Sequence, residues 1–230
     1  MACWSAENAT KAYLRTLKMG TRGKEPDVAE AEFVSALAAG NSAQLMVEVC
    51  AGTAGTTTLA LVAAAHQTGG RVVCVLPGLD ELHASEDALG SNVDYVEFVI
   101  GDARRLLMNC YKGADFVLID CNLEDNEGVF RAVQAGVKHG EAAVVMGYNA
   151  FGKGSWLRNG LKIQLLPIGG GLLVARIPAM VNKVEGNSAG ANGARRSRWV
   201  VRVDKCTGEE HVYRIKSPQK KEVDLKNVGT

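Results

Sequence analysis

The sequence predicts a doubly wound α/β fold, with a Rossmann-like, seven-stranded and mostly parallel sheet that ends in an antiparallel hairpin. Between residues 45 and 146, short apolar segments alternate with helical segments, so that five strands are predicted. Strands that are apolar nearly throughout are buried on both faces, as parallel strands covered by helices are. Two further strands, 161–167 and 172–177, are separated by four residues, too few for a helical crossover. They must therefore pair antiparallel.

Two helices precede this alternation, over 4–18 and 26–38. Ser5 is suited to cap the first helix, Pro26 to open the second, and Gly40 to end it. The alternating segments follow in the order strand 45–51, helix 56–66, strand 71–76, helix 79–89, strand 93–100, helix 103–111, strand 114–120, helix 125–138 and strand 142–146. We expect the crossovers between parallel strands to be right-handed.

The end of the chain differs in composition from the alternating part. Residues 181–197 are rich in Gly, Asn, Ser and Ala, which is typical of a flexible linker. Segments 198–203 and 211–215 flank a turn and are predicted to form a second hairpin, followed by a polar tail. We therefore expect a main domain over 1–180, with a helical part over 1–40, a linker over 181–197, and a hairpin with its tail over 198–230.

Composition excludes several classes of protein. The net charge of +1 among 230 residues gives no electrostatic footprint for nucleic acid or an anionic membrane. The longest apolar runs fall far short of the ~20 residues that a membrane span needs, and the amino terminus lacks the apolar core of a secretory signal. Six cysteines without a Cys-x-x-Cys pair argue against structural zinc and against a disulfide framework. We expect a soluble protein of the cytoplasm or nucleus with reduced, buried thiols.

The turn after the first strand is the principal candidate for a ligand site. In an open α/β sheet, ligands bind outside the carboxyl ends of the strands. There, Gly52 and Gly55 flank Thr53 and allow close approach to the backbone, and the turn opens a helix whose free N–H groups favour an anionic group. The chain lacks a Gly-Lys-Ser/Thr sequence, which excludes a phosphate-gripping P-loop. These features predict a nucleotide-like small-molecule ligand.

Three acids and an amide stand at the carboxyl ends of four predicted strands, and with the predicted topology they should converge on one rim. Glu48 is the only charge within an apolar strand, where a buried carboxylate needs a partner unless the strand end reaches water. Asp102 could accept a hydrogen bond from an exocyclic amine, or could cap the following helix, or do both. Asp120 could face the ligand or cap a turn. Asn149 follows the fifth strand and could face the ligand too, or could simply be a residue type that is common in loops.

The order of these motifs resembles class I S-adenosylmethionine-dependent methyltransferases, most closely the small-molecule O-methyltransferase branch. The segments that carry the resemblance are Glu-x-Cys-x-Gly-x-x-Gly-x-x-Thr-Leu-Ala-Leu, Gly-Gly-Arg-Val-Val, Val-x-Phe-x-x-Gly-Asp-Ala and Asp-Phe-Val-Leu-Ile-Asp, over 25–177. The opening Met-Ala-Cys-Trp-Ser-Ala-Glu-Asn-Ala-Thr-Lys-Ala-Tyr-Leu, with segments 36–45 and 116–127, resembles a plant family known as domain of unknown function 1442. That narrower resemblance implies no activity.

The methyltransferase resemblance implies a set of cofactor contacts. Glu48, Gly52, Thr53 and Gly55 would line the methionine end of S-adenosylmethionine. Asp102, with Ala103, would reach the adenine. Asp120 would lie at the mouth of the active site, and it and Asn149 are the catalytic candidates.

Three departures from the family pattern bear on function. Cys50 replaces a usual glycine, and Leu76-Pro77-Gly78 stands where an acid normally binds the ribose hydroxyls. Asp120 with Asn122 and Asn149 supplies one carboxylate and two amides, a poor divalent-cation site, so we predict no tightly bound metal. None of the four histidines belongs to the strand-end rim, so a general base is not evident either.

The interpretation is therefore a methyltransferase that acts on a small molecule. The alternative is a non-catalytic protein that keeps the methyltransferase fold for binding or scaffolding. An NAD-dependent oxidoreductase is disfavoured, because its Gly-x-Gly-x-x-Gly motif is absent.

Overall fold

The described residues of the computed structural model are 4–20, 28–137, 141–151, 161–179, 197–203 and 210–216. They belong to two compact units, Met1–Asn182 and Lys183–Thr230. The predicted linker lies outside the described residues except for Ser197, and so does the predicted tail after Lys216.

The first unit contains the alternating helices and strands. Its described helices are α1 (Ala6–Gly20), α2 (Val28–Gly40), α3 (Thr56–Thr68), α4 (Leu79–Leu89), α5 (Ala103–Asn109) and α6 (Asn126–Gly136). Its strands are β1 (Leu45–Val49), β2 (Arg71–Leu76), β3 (Val96–Ile100), β4 (Phe116–Asp120), β5 (Ala143–Tyr148), β6 (Ile163–Leu166) and β7 (Leu172–Ile177). Ser5 caps α1 as expected, since its hydroxyl accepts a hydrogen bond from the Asn8 N–H at 3.2 Å.

The strands of this unit form one seven-stranded sheet in the order β3-β2-β1-β4-β5-β7-β6. The five strands from β1 to β5 pair in parallel, and β7 pairs antiparallel with both β5 and β6. The predicted fold class and the terminal antiparallel hairpin are thus confirmed. The chain leaves β1 toward β2 and β3, then returns to the other side of β1 as β4. The strand order therefore reverses between β1 and β4, which is where such sheets bind ligands.

Burial on both faces explains the apolar composition of the central strands. Val47, Val49 and Val117 pack into a core on one face of the sheet. Met46 and Phe116, from the alternate positions of the same strands, pack into a second core on the other face. Because neighbouring positions point to opposite faces, a strand covered by helices on both sides must be apolar at nearly every position.

The start of β3 differs from the prediction. We expected a strand from Val93, but Gly90–Tyr95 form a 3-10 helix and the strand begins at Val96. β3 is the edge strand and pairs only with β2, where Val72 is the first partner and faces Val96. β2 begins only one residue earlier, at Arg71, so residues 93 and 94 have no strand residue opposite them and the sheet does not extend to them.

The second unit contains the predicted hairpin. Strands β8 (Ser197–Val203) and β9 (Glu210–Lys216) pair antiparallel, with Ser197 opposite Lys216 and Val203 opposite Glu210. In the described parts of both units, every helix is too short or too polar to cross a bilayer.

Candidate functional site

A cleft of about 230 Å³ opens at the carboxyl ends of β1, β2 and β3. It lies beside the place between β1 and β4 where the strand order reverses. Its apolar wall comes from the ends of β1 and β2, from the segment between β4 and α6, and from α6 itself: Val49, Val75, Leu76, Pro77, Leu123 and Val129. Its polar groups are Asp102, Arg104 and Asp125, and Cys50 also lines it. The cleft therefore combines an apolar slot with a few charged groups, which is the usual character of a small-molecule site.

The glycine bend between β1 and α3 has room for a ligand. A Cβ added at Gly52 or Gly55 would meet no heavy atom of the described residues within 4 Å, and Thr53 is exposed. Gly55 precedes α3 and offers no side chain to cap it, which leaves N–H groups of the first helical turn available. The bend is thus not filled by its own side chains, as the predicted ligand site requires.

Glu48 lies behind this bend and not on the cleft wall. Its side chain is fully buried and accepts hydrogen bonds from the Thr57 and Thr58 hydroxyls, each at 2.6 Å. Burial raises the pKa of the Glu48 carboxyl above its ordinary value, and the two threonine hydrogen bonds act in the opposite direction. The carboxylate therefore ties β1 to the first turn of α3, and it can shape the bend without facing a ligand there.

Asp102 performs the capping role and also lines the cleft. One of its oxygens accepts hydrogen bonds from the Arg104 N–H at 2.9 Å and the Arg105 N–H at 3.4 Å, at the start of α5. The backbone hydrogen bond from Arg105 is the main reason that the pKa of Asp102 is lowered. Its second oxygen lies 3.6 Å from the Arg104 guanidinium, and Ala103 also lines the cleft. The two interpretations of Asp102 that the sequence left open are therefore compatible.

Arg104 and Asp125 belong to the same polar edge, although the sequence pattern did not identify them. The Arg104 guanidinium lies 2.8 Å from the Asp125 carboxylate, which also caps α6 through the Gly128 N–H. The sequence identifies Asp125 only as the start of a predicted helix. Its position a few residues after a strand, which the other candidates share, was the one feature that could have indicated a role in the site.

Asp120 and Asn149, the catalytic candidates, are in direct contact. The Asn149 side-chain amide donates to the Asp120 carboxylate at 3.0 Å. The carboxylate also accepts hydrogen bonds from the Asn122 N–H at 2.9 Å and the Ala51 N–H at 3.4 Å. Asn149 has a positive φ of 57°, a conformation that asparagine tolerates better than most residues. Asp120 therefore joins the ends of β4 and β5 to the bend after β1.

Cys50 extends from the cleft wall toward β2. Its sulfur lies 3.5 Å from that of Cys74, and both side chains are buried. The hydrogen bond with Cys74 is the largest of the effects that raise the pKa of the Cys50 thiol well above its ordinary value, and burial adds to it. The end of β2 carries Leu76 and Pro77 in the cleft, and the nearest acids that follow, Asp80 and Glu81, lie in the first turn of α4.

Several solved methyltransferase structures superpose on the first unit's fold over about three quarters of this chain. A methyltransferase from Geobacter sulfurreducens superposes on 75% of this chain over 90% of its own length, with a TM-score of 0.53 and 18% sequence identity. An O-methyltransferase from Bacillus cereus, in complex with SAH, matches 76% of this chain and 92% of its own, with a TM-score of 0.51 and 16% identity. A SAH-bound methyltransferase from Podospora anserina covers 77% of this chain and 90% of its own, with a TM-score of 0.52 and 14% identity.

At such identities the likeness shows a shared methyltransferase-like, Rossmann-type fold. No curated protein matches the chain in sequence. The family model described as "Protein of unknown function (DUF1442)" matches residues 1–215, which is nearly the whole chain. The chain therefore belongs to the DUF1442 family, and this member shares its fold with the methyltransferase structures named above.

Proposed function

We propose that this protein binds S-adenosylmethionine and transfers its methyl group to a small molecule. The observation that carries the proposal is the open glycine bend at Gly52 and Gly55, adjoining a cleft at the point where the strand order reverses. Three of the structures that share the fold are methyltransferases, and two of them are described as bound to SAH. Fold alone does not decide function, so the site residues must supply the argument.

The cleft suits the adenosine part of this cofactor. Its apolar wall, including Leu76 and Leu123, can pack against an adenine ring, and Asp102 with Ala103 lies at its polar edge. The Asp102 oxygen nearer the Arg104 guanidinium is not used in capping, so it can accept a hydrogen bond from the exocyclic amine. The end of β2 offers no acid for the ribose, and we assign none.

The methionine part would occupy the bend at Gly52, Thr53 and Gly55. The N–H groups at the start of α3 suit a carboxylate there. Glu48 would support this end from behind, because its hydrogen bonds to α3 hold the bend in place. When bound, the cofactor supplies an electrophilic methyl carbon.

Asp120 and Asn149 would position the acceptor molecule at the mouth of the site. Their mutual hydrogen bond and the contact of Asp120 with the Ala51 N–H fix both side chains relative to the bend. Methyl transfer depends mainly on holding the nucleophile in line with the methyl carbon, so such fixed polar groups can contribute by alignment. No metal ion enters this proposal.

Calorimetric titration with S-adenosylmethionine and SAH tests the cofactor assignment. We expect binding below about 1 mM, within the usual range of KM values. Asp102→Ser keeps a good helix cap but is too short to reach the adenine, so we expect weaker cofactor binding by about tenfold or more at an unchanged melting temperature. The exposed Asp94, which does not line the cleft, provides the control Asp94→Ser.

Two results would contradict the proposal in different ways. Absence of heat with either compound at about 1 mM would remove cofactor binding itself. Wild-type affinity in Asp102→Ser would remove the adenine assignment. Binding without consumption of S-adenosylmethionine across a panel of hydroxyl, thiol and amine acceptors would favour the non-catalytic alternative.

A further inference from the structure

Three potential metal ligands lie together beneath the glycine bend. Glu48 and Cys74 are directly opposite each other in the parallel pairing of β1 and β2, so their side chains project from the same face of the sheet. Cys50 follows Glu48 by two residues, and its N–H donates to the Val75 carbonyl at 3.1 Å, which continues the pairing past the end of β1. One carboxylate oxygen and the two sulfurs all lie within 4.8 Å of one another.

The spacing of these atoms suits a thiophilic cation. The two sulfurs are 3.5 Å apart. Two thiolates that bind one tetrahedral zinc ion through bonds of about 2.3 Å stand about 3.8 Å apart, so little movement is required. Thiolate with carboxylate is a donor set that zinc accepts, whereas Mg²⁺ and Ca²⁺ prefer oxygen ligands alone.

The surroundings support the same interpretation. The Thr57 and Thr58 hydroxyls each donate to a different oxygen of Glu48 and so fix its orientation, as outer-shell partners do in metal sites. A carboxylate has about four lone-pair sites, so with Thr57, Thr58 and Tyr148 as hydrogen-bond partners Glu48 keeps one for a cation. Cys50 also lines the cleft, so this group of buried side chains directly adjoins it.

We propose that Glu48, Cys50 and Cys74 form a binding site for a zinc-class divalent cation, with three protein ligands and one further coordination position. The sequence argued against metal because the chain lacks closely spaced cysteine pairs. Here, however, the ligands come from two neighbouring strands, and the pairing of β1 with β2 brings together residues 24 positions apart. A cation site there would not require methyl transfer, although Glu48 also supports the bend and Cys50 lines the cleft.

Titration of the full-length, reduced and metal-free protein with Co²⁺ tests this proposal. We use a background in which Cys3, Cys110 and Cys206 are replaced by serine, which leaves the two ligand cysteines and the buried Cys121. We expect one equivalent of Co²⁺ to produce the ultraviolet thiolate-to-cobalt charge-transfer band and the intense visible bands of a tetrahedral site. Zn²⁺ should abolish both and, at a hundredfold excess over its Kd, raise the melting temperature by about 5–10 °C.

Single variants assign the ligands. Cys50→Ser and Cys74→Ser should each weaken the charge-transfer band and lose the Zn²⁺-dependent rise in melting temperature, whereas Cys121→Ser should keep both. Glu48→Gln should keep the charge-transfer band but bind Zn²⁺ at least about tenfold more weakly. Melting in EDTA shows whether each variant is folded, and a variant that does not fold is replaced by the corresponding alanine.

Two outcomes would overturn the proposal. One is the absence of cobalt bands in the reduced background protein. The other is a band that survives in both Cys50→Ser and Cys74→Ser. If a hydroperoxide instead converts the reduced protein to a Cys50–Cys74 disulfide and no cation binds, the pair is a redox pair and the metal assignment is wrong.

Discussion

The buried hydrogen bond between Thr58 and Glu48 allows a quantitative test of the structure. The Thr58 side chain is fully buried and its hydroxyl donates to Glu48 at 2.6 Å. Thr58→Val keeps the shape of the side chain but removes the donor. Because a buried acceptor that loses its donor costs about 1–3 kcal/mol, we expect a loss of that size in the free energy of unfolding. For a chain of this length, the melting temperature should fall by about 2–12 °C.

A double-mutant cycle separates this hydrogen bond from other effects of the substitution. Glu48→Met removes the buried carboxylate and replaces it with an apolar side chain of similar length. When both partners are apolar, the missing hydrogen bond carries little penalty, so Thr58→Val should cost less than about 0.5 kcal/mol in the Glu48→Met background. The measurement is urea denaturation of the four proteins at neutral pH. An equal cost of Thr58→Val in both backgrounds would refute the proposed contact.

Three further predictions concern stability. Burial raises the pKa of Glu48 from its ordinary value of 4.5, so its contribution to stability is fully present below pH 4.5 and is lost as the pH rises toward the folded-state pKa. Glu48→Gln should therefore lose less stability than the wild type between pH 4.5 and neutral pH, and an identical pH profile in urea denaturation would contradict this. Gly70→Ala should lower the free energy of unfolding by about 1–3 kcal/mol, because the added Cβ would lie 2.6 Å from the Ala43 carbonyl oxygen. The control is Gly52→Ala, where the added Cβ has open space, so its melting temperature should be close to that of the wild type. Asp115→Ala should lower the free energy of unfolding by about 1–3 kcal/mol in chemical denaturation, because the Asp115 carboxylate accepts hydrogen bonds from two backbone N–H groups at the start of β1. A loss below about 0.5 kcal/mol would show that water satisfies these N–H groups equally well.

Local pattern was sufficient to predict most of the fold. The helix α4 and the strands β2 and β7 have the predicted bounds, because each is a short segment with a glycine before it and a glycine or proline after it. The reversal from parallel to antiparallel pairing was also predictable, since four residues cannot form a crossover. The start of β3 was wrong, because a strand needs a partner and the extent of a partner is not a local property.

The candidate site was only partly predictable. The sequence correctly identified the strand ends as the place where Asp102, Ala103 and Asp120 would lie. It did not show that the Glu48 carboxylate turns away from the cleft toward Thr57 and Thr58, because the direction of a side chain at a strand end depends on what packs against it. That direction is the difference between a group that faces a ligand and one that supports the bend from behind.

By itself, the sequence determined the fold class, the order of its elements and the glycine bend, since these follow from the periodicity of apolar residues and from the conformational freedom of glycine. Only the tertiary structure decided which distant residues meet. The pairing of β1 with β2 brings Cys50 to Cys74, and the packing of α5 beside α6 brings Arg104 to Asp125. The physical reason is that parallel strands and their crossover helices are neighbours in space while lying 20 or more residues apart in the chain, so the contacts between them have no spacing that a linear pattern can reveal.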